Sequence, residues 1–146
     1  MAYDNNNVFA RILRDELPSI RVYEDEHTVA FMDIMPQAPG HVLVIPREAA
    51  ETLLDLSDDG ARAVISTTRR LAIAAKQAFA PQGILVAQMN GAAAGQTVPH
   101  IHFHVIPRNA GQEVLAHAAE KGDMTELVAN AEKLRKVLAD MAKAEA

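Results

Sequence analysis

The sequence predicts an α+β fold, in which a five-stranded antiparallel sheet carries packed helices and ends in a long C-terminal helix. Five short segments show the alternation or the apolar runs of strands, and three segments repeat apolar residues at helical spacing. They follow one another as helix, three strands, helix, two strands, helix. Because no repeat or low-complexity linker divides the chain, we expect a single domain over residues 1–146, with a core at about 7–108 and a C-terminal helical extension at about 111–146.

The first half of the chain predicts one helix and three strands. Apolar residues at helical spacing follow the asparagine cluster at 5–7, which offers an N-cap, and precede Pro18, so we expect a short helix over about 7–16. The segment IRVYEDEHTVAFMDI alternates in polarity on both sides of EDE, which predicts two strands joined by a turn. HVLVIP lies between two proline breakers and predicts a third strand.

The second half predicts two longer helices and two strands. Ser57 is an N-cap candidate for a helix whose apolar stripe runs from Val64 to Ala78 and which Pro81 ends. GILVAQMN predicts a fourth strand, GAAAGQTV a loop and HIHFHVIP a fifth strand. After Pro107, a second stripe predicts a C-terminal helix of about 20 residues. This stripe comprises Met124, Leu127, Ala131, Leu134, Leu138 and Met141.

The amino-acid composition favours a globular domain and argues against membrane-bound, nucleic-acid-binding and cysteine-dependent proteins. Hydrophobic residues make up 49% of the chain and charged residues 23%, which is typical of globular domains, and neither a membrane span nor a secretory signal is evident, so we expect a cytoplasmic protein that binds no membrane. The net charge of −5 argues against a nucleic-acid partner. The absence of cysteine excludes disulfides, thiolate zinc sites and cysteine nucleophiles, which leaves histidine and carboxylates as metal ligands.

Three of the six histidines alternate with apolar residues in VPHIHFHVIP. In a strand, alternate side chains share a face and lie roughly 6.6 Å apart, so His100, His102 and His104 are expected to line one face. One buried histidine is commonly structural, but burying three without use would cost desolvation at each. Two functions are compatible with the pattern, namely a zinc site of three imidazoles, or covalent catalysis in which one imidazole attacks phosphorus.

The loop before the histidines favours phosphorus chemistry over zinc. In NGAAAGQTV, Gly91 and Gly95 permit a tight backbone path with amides that can bind an anion, and Gln96 and Thr97 add neutral donors. Zinc-binding histidines usually have carboxylates behind them, and no carboxylate occurs between Asn90 and Arg108.

These motifs together resemble a known family. HIHFHVI matches the His-x-His-x-His-x-x pattern, with x hydrophobic, of the histidine triad (HIT) superfamily of nucleotide hydrolases and transferases. NGAAAGQTVPHIHFHVIPR, FMDIMPQAPGHVLVIPR and VFARILRDELPS resemble blocks of its Hint branch, so that the likeness covers about residues 7–108. The resemblance implies a HIT-like fold and a hydrolase acting on purine nucleoside 5′-monophosphate derivatives, such as the phosphoramidates.

The resemblance also implies roles for the histidines. His102 would be the nucleophile that attacks the α-phosphate and gives a nucleotidyl-histidine, which water then hydrolyses. A neutral imidazole is a competent nucleophile near pH 7, and because it attacks through one ring nitrogen, we expect the other to donate to a backbone carbonyl. His104 resembles the histidine that contacts the phosphate and the scissile region, His100 the one that orders the site through hydrogen bonds, and His41 a fourth family histidine near the site.

The remaining site residues follow from the same resemblance. Gln96 and Thr97 match positions that contact phosphate and leaving group, with the Thr97 hydroxyl as a candidate proton donor, while Asn90 and the amide of Gly95 would hold non-bridging oxygens. Asp33 resembles the carboxylate that accepts both ribose hydroxyls. The residues that match the apolar slot for the purine are Val8, Phe9, Ile12, Phe31 and Ile34.

Some expectations concern partners and competing functions. The Cys and His residues that bind structural zinc in some relatives are absent, so neither a metal nor another cofactor is expected, and Hint relatives commonly form homodimers. AGQTV also resembles the Fhit branch, which cleaves dinucleoside polyphosphates. A nucleotide-binding regulatory module with little turnover would keep the same pocket, and a zinc hydrolase is the function that the pattern favours least. His27 and His117 match no family position and are expected to be solvated.

Overall fold

A computed structural model of the chain describes residues 2–112 and 120–146. The predicted elements are present, in the predicted order. They are α1 (Val8–Leu13), β1 (Arg21–Glu24), β2 (Thr28–Met32), β3 (Val42–Pro46), α2 (Asp58–Phe79), β4 (Gly83–Ala87), a 3₁₀ turn (Ala92–Ala94), β5 (Phe103–Arg108) and α3 (Met124–Glu145).

The strands form one five-stranded sheet in the order β1-β2-β3-β5-β4, and every neighbouring pair is antiparallel. The last strand of the sequence therefore lies between β3 and β4. His104 in β5 is opposite Leu43 on one side and Ala87 on the other. The predicted α+β fold with an antiparallel sheet and a long C-terminal helix is confirmed.

The sheet is apolar on both faces. Alternate residues of β3 belong to two separate clusters: Val42 and Val44 pack into a large core with residues of α2 and α3, whereas Leu43 and Ile45 pack into a smaller core. The smaller core includes Phe9 of α1. Strand β2, TVAFM, is apolar after Thr28 and therefore does not alternate as predicted from sequence. Every side chain of β2 and β3 is buried because both faces of the sheet are covered there.

The sequence predicted the start of helix α2 correctly and the end of helix α1 incorrectly. Ser57 caps α2 as predicted, because its hydroxyl accepts a hydrogen bond from the amide of Gly60 at 3.0 Å. Helix α1, however, ends at Leu13 instead of continuing to about residue 16. Asp15 has a φ of 61°, in the left-handed region, and this conformation cannot continue a right-handed helix.

The fifth strand also begins later than predicted. Hydrogen-bonded pairing starts at Phe103, so His100 and His102 precede β5, with His100 in a bend whose amide donates to the carbonyl of Val98, and only His104 lies within the strand. The amide of Ile101 donates to the carbonyl of Ala50 at 2.9 Å instead of to a neighbouring strand. The predicted alternation holds in part: Ile101 and Phe103 pack into the large core, and His102 and His104 face the cavity, but His100, which precedes the strand, does not line that cavity.

The C-terminal extension predicted at about 111–146 has its helix at Met124–Glu145. Residues 113–119, including His117, lie outside the described residues. In the part of the chain that is described, no helix has the length and apolar character needed to cross a membrane.

Candidate active site

A cavity of about 310 Å³ opens between α1 and the sheet face opposite α2 and α3. Nine of the predicted site residues line it: Val8, Phe9, Ile12, Phe31, Asp33, Ile34, Thr97, His102 and His104. Six further lining residues were not predicted: Pro18, Ser19, Met32, Met35, Leu43 and Val98. Of these, Leu43 had a signal in the sequence, because it shares the strand face that alternation assigns to Ile45.

His102 is held in one tautomer. Its Nδ1 lies 2.7 Å from the backbone carbonyl of His100, and a carbonyl can only accept, so Nδ1 carries the hydrogen and donates. The other nitrogen, Nε2, therefore carries the lone pair. The predicted hydrogen bond from this ring to a backbone carbonyl is confirmed. The ring of Phe9 meets His102 edge-on, with centroids 4.9 Å apart, which restrains the imidazole from the side of α1.

His100 lies behind His102 and does not line the cavity. Its Nε2 donates to the carbonyl of Pro46 at 2.8 Å, and its Nδ1 accepts from the hydroxyl of Tyr3 at 2.5 Å. Burial, with a smaller contribution from the nearby His102, lowers the pKa of His100 to about 4. The ring is consequently neutral at pH 7. Tyr3 was missed in the sequence, because 97 positions separate it from His100 and no local pattern marks the contact.

His41 links two other predicted site residues. Its Nδ1 accepts a hydrogen bond from the amide of Gln37 at 3.0 Å, so in the neutral ring the hydrogen sits on Nε2. Nε2 lies 2.9 Å from Nδ1 of His104 and 3.4 Å from Oδ2 of Asp33. Because His104 accepts at Nδ1, its own ring hydrogen is on Nε2. His41 itself is fully buried and lies outside the cavity lining.

Asp33 follows directly after β2 at the edge of the cavity and is 9% exposed. Its Oδ1 accepts from the amide of Met35 at 2.8 Å, and its own amide donates to the carbonyl of His41 at 3.0 Å. These bonds orient the carboxylate in the turn that connects β2 to β3.

Asp33, His41 and His104 also form a group that could hold a metal ion, since one ligand atom from each lies within 4.8 Å of the others. A metal on Nε2 of His41 would require the ring hydrogen to move to Nδ1, where the amide of Gln37 already donates. Binding would thus leave an imidazolate or break that hydrogen bond. The donor set is better suited to sharing a proton than to binding zinc.

The glycine-containing loop is braced by its own residues. The side-chain amide of Gln96 donates to the carbonyls of Glu51 and Val98, and its oxygen accepts from the amide of Gly91 at 2.7 Å. Gln96 therefore holds the loop in shape and does not present a free donor to the cavity, contrary to the expectation from sequence. The amide of Gly95 donates to Ala92 within the 3₁₀ turn, and its φ of 104° suits glycine.

Asn90 is placed at the other end of this loop, outside the cavity lining. Its Oδ1 accepts from the backbone amide of Leu53 and from the side chain of Gln88, each at 2.8 Å. Phosphate contacts by Asn90 and by the Gly95 amide stay predictions. His27, in the β1–β2 turn, is exposed to solvent as expected, and it does not line the cavity.

Comparison with known proteins agrees with this architecture. The HIT domain family matches residues 14–111 of the chain. Protein hit from Bacillus subtilis is 40% identical over 103 residues, which are 70% of this chain and 71% of that protein. The adenosine 5′-monophosphoramidase of Schizosaccharomyces pombe is 35% identical over 101 residues, 69% of this chain and 73% of that enzyme. A Hit-like protein from Bartonella henselae superposes with a TM-score of 0.88 at 49% identity, covering 94% of this chain and 99% of that one.

Proposed function

Because the chain belongs to the HIT domain family, we propose that it hydrolyses purine nucleoside 5′-monophosphate derivatives, above all phosphoramidates such as adenosine 5′-monophosphoramidate. The observation that carries this proposal is the tautomer of His102, which leaves an unprotonated ring nitrogen beside an apolar cavity. Two yeast relatives, from Schizosaccharomyces pombe and Saccharomyces cerevisiae, are named adenosine 5′-monophosphoramidases, and they support the substrate class.

The cavity suits a nucleoside 5′-phosphate. Its apolar wall, which includes Phe9 and Phe31, would take the purine ring, and burial of that ring would supply most of the binding energy. Asp33 would accept hydrogen bonds from the ribose hydroxyls at the edge. The phosphate would then lie near Thr97 and the rings of His102 and His104.

In the proposed reaction, Nε2 of His102 attacks the α-phosphorus and the phosphorus–nitrogen bond to the amine leaving group breaks. The departing amine takes a proton from Nε2 of His104 or from the hydroxyl of Thr97, two residues that line the cavity. The carbonyl of His100 would stabilise the positive charge that develops on the phosphorylated ring of His102. Water then attacks the phosphorus and the phosphorus–Nε2 bond breaks, which releases the nucleoside 5′-monophosphate and restores neutral His102. The proton that water loses returns to the group, His104 or Thr97, that protonated the amine.

The test is to replace His102 by Gly or Ala and to follow adenosine 5′-monophosphoramidate by phosphorus NMR. We expect turnover to fall on the order of 10⁴-fold or more while nucleotide binding persists. His27→Ala, in an exposed histidine remote from the cavity, is the matched control and should retain wild-type activity. Full activity in the His102 variants would contradict the assignment of the nucleophile.

The same assay separates the competing functions. A larger kcat/KM on a diadenosine polyphosphate than on the phosphoramidate would identify the Fhit-like activity. Tight nucleotide binding without turnover and without a trapped phosphorus–histidine adduct would identify a regulatory module. Loss of activity on chelation, with restoration by zinc, would identify a zinc hydrolase.

We also propose that the chain forms a single domain and pairs as a homodimer. Side chains of α3 enter the same core as α2 and the sheet, which supports one domain. Strand β4 is a sheet edge whose Leu85 and Val86 are each 45% exposed, and such an apolar edge favours pairing with a second copy. Sedimentation should give a dimer that Val86→Lys dissociates, and a monomeric wild type would refute the homodimer. The cytoplasmic location stays a prediction.

A further inference from the structure

The hydroxyl of Tyr3 and Nδ1 of His100 form a hydrogen bond that joins the N-terminal segment to the histidine segment. The direction of this bond follows from the other side of the ring. Nε2 of His100 faces the carbonyl of Pro46, which can only accept, so Nε2 carries the hydrogen of the neutral ring. Nδ1 is therefore an acceptor, and Tyr3 is its donor.

The orientation of His100 determines that of His102. The carbonyl of His100 accepts the hydrogen bond from Nδ1 of His102, so any movement of His100 displaces the acceptor that selects the tautomer of His102. His100 is held through both ring nitrogens, by Tyr3 on one side and Pro46 on the other. Loss of either bond leaves a fully buried polar atom without its protein partner, and such an atom drives rearrangement.

The same N-terminal segment also supports the ring of His102 directly. Asn7 caps α1 by accepting from the amide of Ala10 at 2.8 Å, and Phe9 in that helix meets His102 edge-on. Tyr3 and α1, from one short stretch of chain, thus contact His100 and His102 respectively.

We propose that Tyr3 is a positioning residue, which fixes the tautomer of His100 and, through the His100 carbonyl, keeps Nε2 of His102 unprotonated for attack. This inference rests on the proposed function, since it assigns Tyr3 a part in the same reaction. If this is so, the three alternating histidines are not sufficient for full activity. The site also needs the phenol of Tyr3, 97 positions before His100 in the chain.

The experiment compares Tyr3→Phe with Tyr23→Phe in the full chain. Each variant removes one hydroxyl from a half-buried tyrosine, but the Tyr23 hydroxyl donates to Asp25 in the β1–β2 turn, away from the cavity. The measurements are kcat and KM on adenosine 5′-monophosphoramidate, the thermal midpoint, and the ¹⁵N chemical shifts of the histidine ring nitrogens, which distinguish the tautomers.

For Tyr3→Phe we expect kcat to fall about tenfold, which corresponds to about 1.4 kcal/mol, with KM changed less than twofold. The ¹⁵N shifts of His102 should show a mixture of tautomers, and Tyr23→Phe should match the wild type in both respects. A Tyr3→Phe variant with wild-type kcat and an unchanged His102 tautomer would overturn the inference, as would equal losses in the two variants.

The tautomer measurement separates this inference from the proposed function. If the wild type does not turn over the phosphoramidate, the proposed function fails, but the ¹⁵N shifts still show whether Tyr3 controls the rings of His100 and His102. If the wild type is active and Tyr3→Phe is unaltered in both measurements, the proposed function stands and Tyr3 has no positioning role.

Discussion

Nε2 of His41 and Nδ1 of His104 lie 2.9 Å apart and form a buried hydrogen bond between residues 63 positions apart in the chain. The two histidines are brought together because β3 and β5 are neighbours in the sheet, with Leu43 opposite His104. The bond sets the tautomer of His104 and leaves its Nε2 as the donor. It therefore controls which atom of His104 can serve the phosphate or the leaving group.

Replacement of His41 tests this control. In His41→Leu, Nδ1 of His104 would lose the hydrogen bond from His41, the ring would no longer be held as an Nε2 donor, and kcat should fall about tenfold to a hundredfold. His41→Gln keeps a side-chain amide that can donate to His104, so it should retain more activity than the leucine variant. Steady-state kinetics should rank kcat as wild type, then His41→Gln, then His41→Leu. Equal kcat values for His41→Leu and the wild type would contradict this role of His41.

Asp33 is predicted to recognise the ribose. Hydrogen bonds to a charged group contribute about 1.5–3 kcal/mol each, so Asp33→Asn should raise KM for the phosphoramidate about tenfold to a hundredfold. A 2′,3′-dideoxy substrate is the matched control, because it lacks the hydroxyls and should lose little further affinity in the variant. If the variant weakens both substrates equally, Asp33 acts on the fold or on His41 instead of on the ribose.

The low pKa of His100 predicts a loss of stability in mild acid. Its pKa of about 4 in the folded chain lies below the ordinary value of 6.5, so the unfolded chain binds the proton more readily at intermediate pH. Stability from this group is complete above about pH 6.5 and is lost as the pH falls towards 4. Between pH 7.5 and 5 the loss should be about 2 kcal/mol.

Urea unfolding at several pH values measures this loss, and the difference between variants isolates His100. His100→Gln should show a flatter dependence of the unfolding free energy on pH than the wild type. His27→Gln changes an exposed histidine and should keep the wild-type dependence. Parallel curves for the wild type and His100→Gln would exclude His100 as the source.

The C-terminal helix should contribute to stability through one face. Leu134 in α3 is fully buried in the large core, whereas Val128 on the same helix is 45% exposed. Leu134→Ala should lower the free energy of unfolding by about 2–5 kcal/mol, because it removes buried methyl groups and leaves a cavity. Val128→Ala should change it by less than about 0.5 kcal/mol. Chemical denaturation compares them, and similar values would mean that α3 does not pack as described.

Local patterns predicted most of the fold. The polar and apolar alternation located β1, the apolar residues after Thr28 located β2, and Ser57 marked the start of α2, because these signals depend on residues close in sequence. Element ends were less predictable. Strand β5 begins at Phe103 and not at His100. Although β3 continues to Pro46, the amide of Ile101 donates to the carbonyl of Ala50 instead of pairing with β3, and no local pattern indicates that partner.

For the candidate site, too, the sequence predicted which residues lie near the cavity but not all of their hydrogen-bond partners. The spacing of the histidines and the resemblance to the HIT family identified nine residues that line the cavity. Gln96 was expected as a donor to phosphate, but its hydrogen bonds go to backbone groups of the loop and of residue Glu51. Such a role depends on which distant backbone atoms come within reach of the amide, so the sequence could not distinguish a phosphate ligand from a brace.

By itself, the sequence determined the order of the elements, the apolar stripes by which α2 and α3 pack, and the presence of several imidazoles near one cavity. The tertiary structure alone decided which nitrogen of each imidazole carries the hydrogen. The partners that make those choices are the carbonyls of Pro46 and His100, the amide of Gln37 and the hydroxyl of Tyr3, which the fold places beside the rings. The physical reason is that neutral imidazole tautomers differ little in intrinsic energy, so each is selected by the donor or acceptor that folding places beside it.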